Sequence, residues 1–345
     1  MGEYMRNIVF FFLISVVLSS TLSYADVYRV DGTGGSDALD GTSWEVNGDK
    51  GPLKTIQKAI GLAAENGGGE VWLKQGTYHP AGNFSHVVSI EYQDYSTTRS
   101  ITKIAIEMKS GVEVYGGFEG KENQRSERSD DPALTIIDGG ESPERDEPAL
   151  HVFGMLNTKD ALIDSVTITG AVSSKERSDD EGGGLFCYKI DETNLLKGCV
   201  IRDNRSKNAG GLLMYQSDMQ ISDCVFRDNE SDSDAGAIGM AFESDPVLTN
   251  CDFINNSVGH YNNGGAIQIL GGCRPEFRGC RIIGNFAGDN GGGIAVGFES
   301  SPVFRKCIIS GNGADERGGG VVVAKKSKPE FYNCLISGNS VEDEE

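Results

Sequence analysis

Residues 291–312 read GGGIAVGFESSPVFRKCIISGN, and residues 318–339 read GGGVVVAKKSKPEFYNCLISGN. The two stretches keep their leading glycines, one proline, one cysteine and the closing Gly-Asn in register. A sequence that repeats at a fixed period of about 20 to 50 residues is typical of solenoids, in which each unit packs mainly against its neighbours. The repeat therefore decides the fold class.

Four positions recur in six copies. Each copy has a cysteine, a large apolar residue three positions before it, another two positions after it, and an asparagine five positions after it. The cysteines are Cys199, Cys224, Cys251, Cys280, Cys307 and Cys334, and the asparagines are Asn204, Asn229, Asn256, Asn285, Asn312 and Asn339. The earlier apolar residues are Leu196, Ile221, Leu248, Phe277, Phe304 and Phe331, and the later ones are Ile201, Phe226, Phe253, Ile282, Ile309 and Ile336.

The spacing within each copy predicts two short strands joined by a bend. Side chains alternate between the faces of a strand, so the cysteine and the residue two positions later point the same way. The residue three positions before the cysteine can join that face only if the chain bends between them. The repeat region shows no amphipathic helix pattern. We therefore predict an all-β, single-stranded solenoid, a parallel β-helix whose equivalent residues stack about 4.8 Å apart.

The residue types suit this stacking. Columns of Phe, Ile and Leu would fill the interior, and each buried side chain contributes roughly 1.5–3 kcal/mol. A lone coil cannot offset a backbone entropy of about 1–2 kcal/mol per residue, so the coils must stabilise one another. Asparagine suits a turn, because it tolerates a left-handed backbone and its amide can bond to the coils above and below. We interpret the asparagines as structural rather than catalytic.

The cysteine column is interpreted as small, buried and apolar. The expected separation of Cα atoms on adjacent coils does not forbid disulfides. Free thiols are favoured, because bridges along the column would strain the strands. Cys187 and Cys273 lie off the column, and their role stays open. The chain contains no Cys-x-x-Cys pair, which argues against a structural zinc site.

The repeat varies in one place, between the asparagine and the glycines of the next unit. This segment is longest in NSVGHYNNGGA, which contains His260, Tyr261, Asn262 and Asn263. Changes in loop length cost little free energy, and binding residues are often found on such loops. We therefore predict a row of loops along one edge of the solenoid, with residues 260–263 as candidate binding residues.

The N-terminal half predicts a cap followed by irregular coils. Pro52 stands where a helix could begin, and Gly67–Gly69 where it could end. Leu53, Ile56, Ala59, Ile60 and Ala63 form one apolar face, so this helix is expected to cover the first coil. Farther along, DSVTITG at 164–170 is interpreted as a degenerate coil with Ser165 in the cysteine position.

The first 25 residues are predicted to be a secretory signal peptide. Arg6 precedes an eleven-residue apolar run, Ile8 to Leu18, that is too short to span a bilayer, and Ser23-Tyr24-Ala25 offers a cleavage site. The predicted organisation is a signal peptide over 1–25, a lead-in with the capping helix over 26–80, and the β-helix over 81–345. Its coils are irregular to about residue 195 and regular over 196–339. The chain ends shortly after the sixth asparagine, so it either closes on its acidic tail or belongs to a longer protein.

The charge of the chain limits its partners. The formal net charge is −20 at pH 7. Such acidity argues against nucleic acid and against unaided binding of polyanions. No transmembrane segment is expected once the signal peptide is removed. Localisation is predicted to be secreted or at the cell surface or outer membrane.

Two motifs resemble known families. GGAI (264–267) with FINN (253–256) and FRDN (226–229) resembles the GGA[ILV]/FxxN repeat of the chlamydial polymorphic outer membrane proteins. VDGTGGSDALDGTSWEV and LKTIQKAI are similar to the start of pectin-lyase-like right-handed β-helix proteins. The resemblance implies a right-handed parallel β-helix with an N-terminal helical cap. That group includes lyases, hydrolases, epimerases and adhesins, so it implies no single activity.

Two sets of residues are candidates for chemistry. Asp31, Asp37 and Asp40 lie in a glycine-loosened, oxygen-rich stretch that could hold calcium, but it lacks the EF-hand spacing, and a plain turn is the favoured interpretation. Arg202-Asp203 and Arg227-Asp228 should stack on consecutive coils. The polysaccharide lyases that the chain resembles use an arginine base with bound calcium, so these pairs are the catalytic candidates. Arg beside Asp on an exposed strand is more commonly a surface ion pair.

Two functions follow from this sequence. The favoured one is an exported, non-catalytic β-helix scaffold for adhesion, whose loops contact a glycan or a surface protein. The alternative is a polysaccharide lyase or glycoside hydrolase acting on an acidic glycan. Calcium is the one cofactor that the sequence suggests.

Overall fold

The computed structural model describes residues 26–93, 95–141, 147–173, 182–324 and 326–342. The signal peptide predicted over residues 1–25 lies outside these ranges. The described strands form four sheets that wind round one axis. Every pairing between strands of successive coils is parallel, as the repeat predicts, and the core lies inside the resulting tube.

Sheets 1 and 2 meet at the bend that carries the column cysteines. Sheet 1 contains β1 (Val27–Val30), β2 (Gly69–Lys74), β6 (Val112–Phe118), β9 (Leu162–Asp164), β12 (Leu195–Lys197), β16 (Gln220–Ser222), β20 (Val247–Thr249), β24 (Glu276–Arg278), β28 (Val303–Arg305) and β32 (Glu330–Tyr332). Sheet 2 contains β3 (Gly76–Tyr78), β7 (Thr135–Asp138), β10 (Thr167–Thr169), β13 (Val200–Arg202), β17 (Val225–Arg227), β21 (Asp252–Ile254), β25 (Arg281–Ile283), β29 (Ile308–Ser310) and β33 (Leu335–Ser337).

Sheets 3 and 4 complete the coil. Sheet 3 contains β4 (Phe84–Tyr92), β5 (Tyr95–Glu107), β8 (His151–Leu156), β11 (Leu185–Tyr188), β15 (Leu212–Tyr215), β19 (Ile238–Ala241), β23 (Ile267–Leu270), β27 (Ile294–Val296) and β31 (Val321–Val323). Sheet 4 contains β14 (Arg205–Ser206), β18 (Glu230–Ser231), β22 (Ser257–His260), β26 (Phe286–Gly288), β30 (Gly313–Ala314) and β34 (Ser340–Val341). A regular coil therefore passes through sheets 1, 2, 4 and 3 in that order.

The predicted columns stack in register. Phe277 pairs with Phe304, and Phe304 pairs with Phe331 on the next coil. Their ring centroids are 4.7 and 4.9 Å apart with nearly parallel planes, close to the spacing between neighbouring strands. Phe226 and Phe253 stack in the same way on sheet 2. The interior is thus built from like side chains meeting along the axis.

The asparagines form a continuous hydrogen-bonded ladder. Asn256 donates through Nδ2 to the Asn285 side-chain oxygen at 3.0 Å and to the Phe226 carbonyl at 3.0 Å. Its own side-chain oxygen accepts from the backbone N–H of Asn229 at 3.1 Å. The same pattern links all six asparagines in sequence. The side-chain amides of this column therefore bond neighbouring coils to one another.

The left-handed backbone of the turn lies one residue earlier than the sequence suggested. Asp228 and Asn255 have φ values of 55° and 53°, and Gly284 occupies the same place at 68°. The asparagine that follows each of them is not left-handed. It is retained because its amide bonds to the neighbouring coils, whereas Asp, Asn and Gly share the position that needs positive φ.

The column cysteines are free thiols that line the interior bend. The Cys224 thiol donates to the Leu196 carbonyl of the preceding coil at 3.6 Å, and Cys280 contacts Leu248 O at the same distance. Burial raises the pKa of Cys224 well above its usual value. Off the column, Cys187 and Cys273 are also buried free thiols, and burial raises the pKa of Cys273 to about 12. The thiols of Cys187, Cys224 and Cys273, whose pKa values are raised by burial, stay protonated at neutral pH.

One glycine of the repeat is required by a close approach between coils. A Cβ atom on Gly292 would lie 1.9 Å from the Gly313 carbonyl oxygen. Backbone contacts of this length exclude any side chain. The glycine two positions before the sheet 3 strand of each repeat therefore recurs because a side chain there would collide with neighbouring backbone.

The N-terminal helix begins later than the sequence predicted. Helix α1 spans Ile56–Glu65, with Thr55 as N-cap accepting a hydrogen bond from the Lys58 backbone. Pro52 and Leu53 precede it in extended backbone, and Leu53 forms a bridge with Val30. The predicted apolar face is buried, and the helix packs on β1 and β2 at the end of sheet 1. It therefore covers the first coil.

Two short 3-10 helices, Arg125–Glu127 and Pro132–Leu134, lie farther along.

Val166, not Ser165, occupies the cysteine position of the degenerate coil. Leu162–Asp164 pairs with Leu195–Lys197, and Thr167 pairs with Val200, which places Val166 beside Cys199. Val166 is fully buried in the core. Ser165 has a φ of 56° and takes the left-handed place before the column.

Within the described ranges, no helix has the length and apolarity needed to cross a bilayer.

A long antiparallel hairpin departs from the coil pattern. Strands β4 and β5 pair with each other, and β5 joins sheet 3 through β8. Val88 and Ile90 of the hairpin pack in a second apolar cluster with Phe186 and Tyr215 on the outer face of sheet 3. His151 of β8 lies beside Phe186 and is fully buried. Burial lowers the pKa of His151 to about 3.

The unfolding free energy lost when an asparagine of the ladder is replaced should depend on how deeply that asparagine is buried. Replacing Asn256 by Ala leaves the Asn229 N–H and the Phe226 carbonyl without their partners in a buried site, so we expect a loss of roughly 2–3 kcal/mol of unfolding free energy. Asn339→Ala is the matched control at the half-buried last coil, where water can replace the lost bonds, and it should cost less than about 1 kcal/mol. Urea unfolding measures both. Equal losses would contradict a ladder stabilised by burial.

Stability should fall with acid because of His151. Its folded-state pKa lies below the ordinary value near 6.5, so its contribution is complete above that value and is lost as the pH falls towards about 3. Between about pH 7.5 and pH 5, neutral burial of one histidine accounts for roughly 2 kcal/mol of lost unfolding free energy. His151→Leu should remove this component from the pH profile. Replacement of the exposed His260 by Leu is the control and should retain the loss that His151 causes between about pH 7.5 and pH 5.

Candidate functional site

The loop row predicted from the sequence runs along the edge between sheets 4 and 3. Its most prominent part is the loop that follows β22. The His260 side chain is 86% exposed, and Tyr261 is also 86% exposed. Tyr261 has a φ of 66°, which is uncommon for an aromatic residue. The two rings therefore project into solvent from a constrained backbone.

Hydrogen bonds to neighbouring loops hold the base of this projection. Asn262 donates through Nδ2 to the Asp232 carbonyl at 3.1 Å. The backbone N–H of Asn263 donates to Asp234 Oδ1 at 2.8 Å, and Asn290 donates to Asn263 Oδ1 at 3.0 Å. His260 Nδ1 lies 3.6 Å from Asp315 Oδ2 two coils farther on. The structure brings all four predicted binding residues together, with the asparagines as supports and the rings exposed.

The two arginine candidates stack as predicted but are paired locally. Arg202 and Arg227 are register partners on β13 and β17. Each forms an ion pair with the next residue, Asp203 and Asp228 respectively. All four side chains are partly solvent-exposed. Such pairs on a surface contribute little energy, and no feature of their geometry marks a catalytic base.

The three aspartates proposed for calcium each serve a turn. Asp31 is buried, and its carboxylate accepts from the Gly34 N–H at 2.9 Å and from Lys74 Nζ at 2.6 Å. These hydrogen bonds lower the pKa of Asp31 against the opposing effect of burial. Asp37 accepts from the backbone N–H groups of Lys54 and Thr55 ahead of α1. Asp40 accepts from the N–H and hydroxyl of Thr42.

The described residues do not assemble a metal centre from these or other side chains. In that part of the chain, no group of three or more His, Cys, Asp or Glu side chains is placed to hold a metal ion. Because amides and Lys74 already occupy the carboxylates, the turn interpretation accounts for these aspartates.

A cavity of about 730 Å³ lies beside the start of α1. Gln57, Tyr78 and His79 contribute to its wall. Gln57 exchanges hydrogen bonds with the Glu107 backbone, and the Tyr78 hydroxyl donates to the Lys74 carbonyl at 2.7 Å, with the Val30 carbonyl 3.0 Å away. The polar groups here are thus engaged in holding the cap on the first coils.

Sequence reasoning missed one cleft, where the hairpin meets the turns that follow sheet 3. Tyr92 and Gln93 at the hairpin tip face Phe298, Glu299 and Lys326 across about 300 Å³. The sequence does mark the two turns as equivalent, because Phe-Glu-Ser occurs at 242–244 and again at 298–300. The hairpin partner could not be inferred, because the contact joins residues about 200 positions apart in the chain.

Comparison with known proteins agrees with this architecture. Residues 153–261 and 259–342 match the sequence model of the right-handed β-helix region. These matches cover more than half of the chain, which therefore belongs to the right-handed β-helix family. The predicted fold class is confirmed. No curated protein sequence matches the chain.

Three solved structures are among the matches to this chain. Pectin methylesterase from Aspergillus niger has 10% identity and a TM-score of 0.46, with 93% of this chain and 88% of its own covered. The A-modules of the mannuronan C-5 epimerases AlgE4 and AlgE6 from Azotobacter vinelandii have 15% and 12% identity and TM-scores of 0.27 and 0.29. They cover 92% of this chain and 100% of their own. At these values the likeness says nothing about activity.

Asp31 and calcium can be tested together. Asp31→Ala removes the acceptor of the Gly34 N–H and the ion-pair partner of Lys74. We therefore expect a loss of roughly 2–3 kcal/mol of unfolding free energy. Asp40→Ala, at an exposed turn, is the matched control and should cost less than about 1 kcal/mol. Thermal unfolding with millimolar calcium or with a chelator should give the same midpoint. A midpoint raised by calcium in the wild type, but not in Asp31→Ala, would restore the calcium hypothesis.

Proposed function

We propose that this protein is an exported, non-catalytic β-helix scaffold whose loop row attaches to a partner at the cell surface. Support comes from the loop that carries His260 and Tyr261. Two exposed rings stand on a backbone braced by Asn262 and Asn263, so little further order is lost on binding. Preorganised Tyr side chains are frequent anchors at interfaces.

The shape of this loop favours a macromolecular partner. Rings that are almost fully exposed project outward, and such side chains can insert into a partner's pocket but cannot enclose a small ligand. The net charge of −20 disfavours polyanions. A surface protein, or a neutral glycan that carries a complementary groove, suits this surface best. The chlamydial repeat resemblance is consistent with such a role.

The alternative, a polysaccharide lyase or hydrolase, lacks a favouring observation. The candidates Arg202 and Arg227 are engaged with adjacent carboxylates. The loop containing Gly259-His260 supplies one histidine, whose Nδ1 lies 3.6 Å from Asp315 Oδ2, and among the described residues no group of three or more His, Cys, Asp or Glu side chains is placed to hold a metal ion. We therefore retain the scaffold as the proposal.

The loop row should carry surface binding. The labelled protein should be retained saturably by a panel of extracellular proteins, glycans or intact cells. Combined His260→Ala and Tyr261→Ala substitution should weaken retention at least about tenfold, because it removes both anchors. The control is Tyr332→Ala, which removes an exposed tyrosine from sheet 1. It should leave retention unchanged.

Two results would contradict the scaffold proposal. One is equal retention of the wild type and the His260/Tyr261 double variant. The other is release of unsaturated uronates from an acidic polysaccharide by the purified protein with calcium. If that release disappeared in Arg202→Ala and Arg227→Ala, the enzymatic alternative would replace the scaffold.

A further inference from the structure

In the turns that follow sheet 3, residues with large side chains adopt a left-handed backbone that favours glycine. Register places Phe242-Glu243, Gly271-Gly272 and Phe298-Glu299 at equivalent positions of three successive coils. All six residues have positive φ, and Phe298 and Glu299 have values of 52° and 65°. A left-handed backbone is unfavourable for a residue with a side chain, because its Cβ comes too close to the following carbonyl oxygen. The glycine pair on the middle coil shows which residues the turn itself favours.

The two phenylalanines differ in exposure. The Phe242 ring lies 5.4 Å from Tyr215 and 5.9 Å from Tyr92, so its contacts offset the strain. Phe298 is 49% exposed. About half of its side-chain surface faces solvent and the cleft beside it. Strained residues of this kind are concentrated at functional sites.

The hairpin tip completes a cleft around Phe298. A Cβ atom on Gly272 would lie 2.7 Å from the Tyr92 hydroxyl, so the absence of side chains there makes room for Tyr92. Gln93 donates through Nε2 to that hydroxyl at 2.9 Å. Glu299 and Lys326 close the far side as an ion pair at 3.2 Å. The open cleft has a volume of about 300 Å³, at the small end of ligand sites.

The chemistry of the lining suits one sugar ring. The C–H face of a pyranose packs on aromatic rings such as Tyr92 and Phe298. Its hydroxyls can donate to the Glu299 carboxylate and accept from Lys326 and Gln93. Burial, together with the charges of Glu243 and Glu299, raises the pKa of Tyr92, so its hydroxyl remains protonated. The two carboxylates beside Tyr92 oppose an anionic sugar.

We propose that the cleft between Tyr92 and Phe298 binds a neutral pyranose unit. This site is separate from the loop row that contains His260 and Tyr261, and the proposal does not depend on that loop. Tyr92 and Phe298 provide the stacking surfaces, while Glu299, Lys326 and Gln93 select the hydroxyl arrangement.

Phe298→Gly separates a binding role from a structural one. Glycine suits the positive φ, as Gly271 shows on the preceding coil, so relief of backbone strain should make the fall in the unfolding midpoint smaller than the fall caused by Phe242→Gly. Binding of methyl glycosides of glucose, galactose or mannose, measured by saturation-transfer NMR and calorimetry, should weaken at least about tenfold. Phe242→Gly is the matched control. It should lower the midpoint, because it removes a ring packed between Tyr92 and Tyr215.

A second variant reaches the cleft from the hairpin side. Gly272→Ala should displace Tyr92 and weaken the same glycosides, whereas Tyr261→Ala should leave their binding unchanged. The proposal is overturned if the wild type shows no saturable binding of these glycosides at millimolar concentration. It is also overturned if Phe298→Gly binds like the wild type, or if it lowers the midpoint as much as Phe242→Gly does.

Discussion

Parallel pairing of each coil with the next is the interaction on which this molecule depends. The hydrogen-bond distance between strands sets the rise per coil, and every side chain then meets its equivalent at nearly that distance. Stacked phenylalanine rings and amide ladders both fit a repeat of this length. A coil alone would leave its strand edges and its apolar columns in water, so stability arises only between coils.

Because of this pairing, some positions of the chain accept few residue types and others accept many. Inward-facing residues and the glycine that touches the next coil are limited by contacts on both sides, as Phe304 and Gly292 illustrate. The loops after sheet 4 and the turns after sheet 3 face solvent and need only return the chain to its register. Binding residues can therefore be carried there without disturbing the core. His260, Tyr261 and Phe298 all lie in these connections.

The polar groups near the N-terminus show how a solenoid is closed at its first coil. Helix α1 buries its apolar face on the first strands, and Asp37 accepts the backbone N–H groups that precede it. Asp31 and Lys74 tie the lead-in to sheet 1. An oxygen-rich stretch that suggests a metal loop in sequence thus serves backbone amides in the folded chain. Such amides need acceptors wherever strands end.

The sequence alone determined the coil, its columns and the loop row, because residues that stack along one axis must recur at one spacing. It placed the helical cap only approximately, since Pro52 is compatible with an extended backbone as well as with a first turn. It misassigned Ser165 by one residue, because a lone degenerate copy carries no second marker of register. Only the tertiary structure decided which residues take positive φ, that His151 is buried under the hairpin, and that Tyr92 reaches Phe298. These features depend on contacts between segments far apart in the chain, and no local spacing records them.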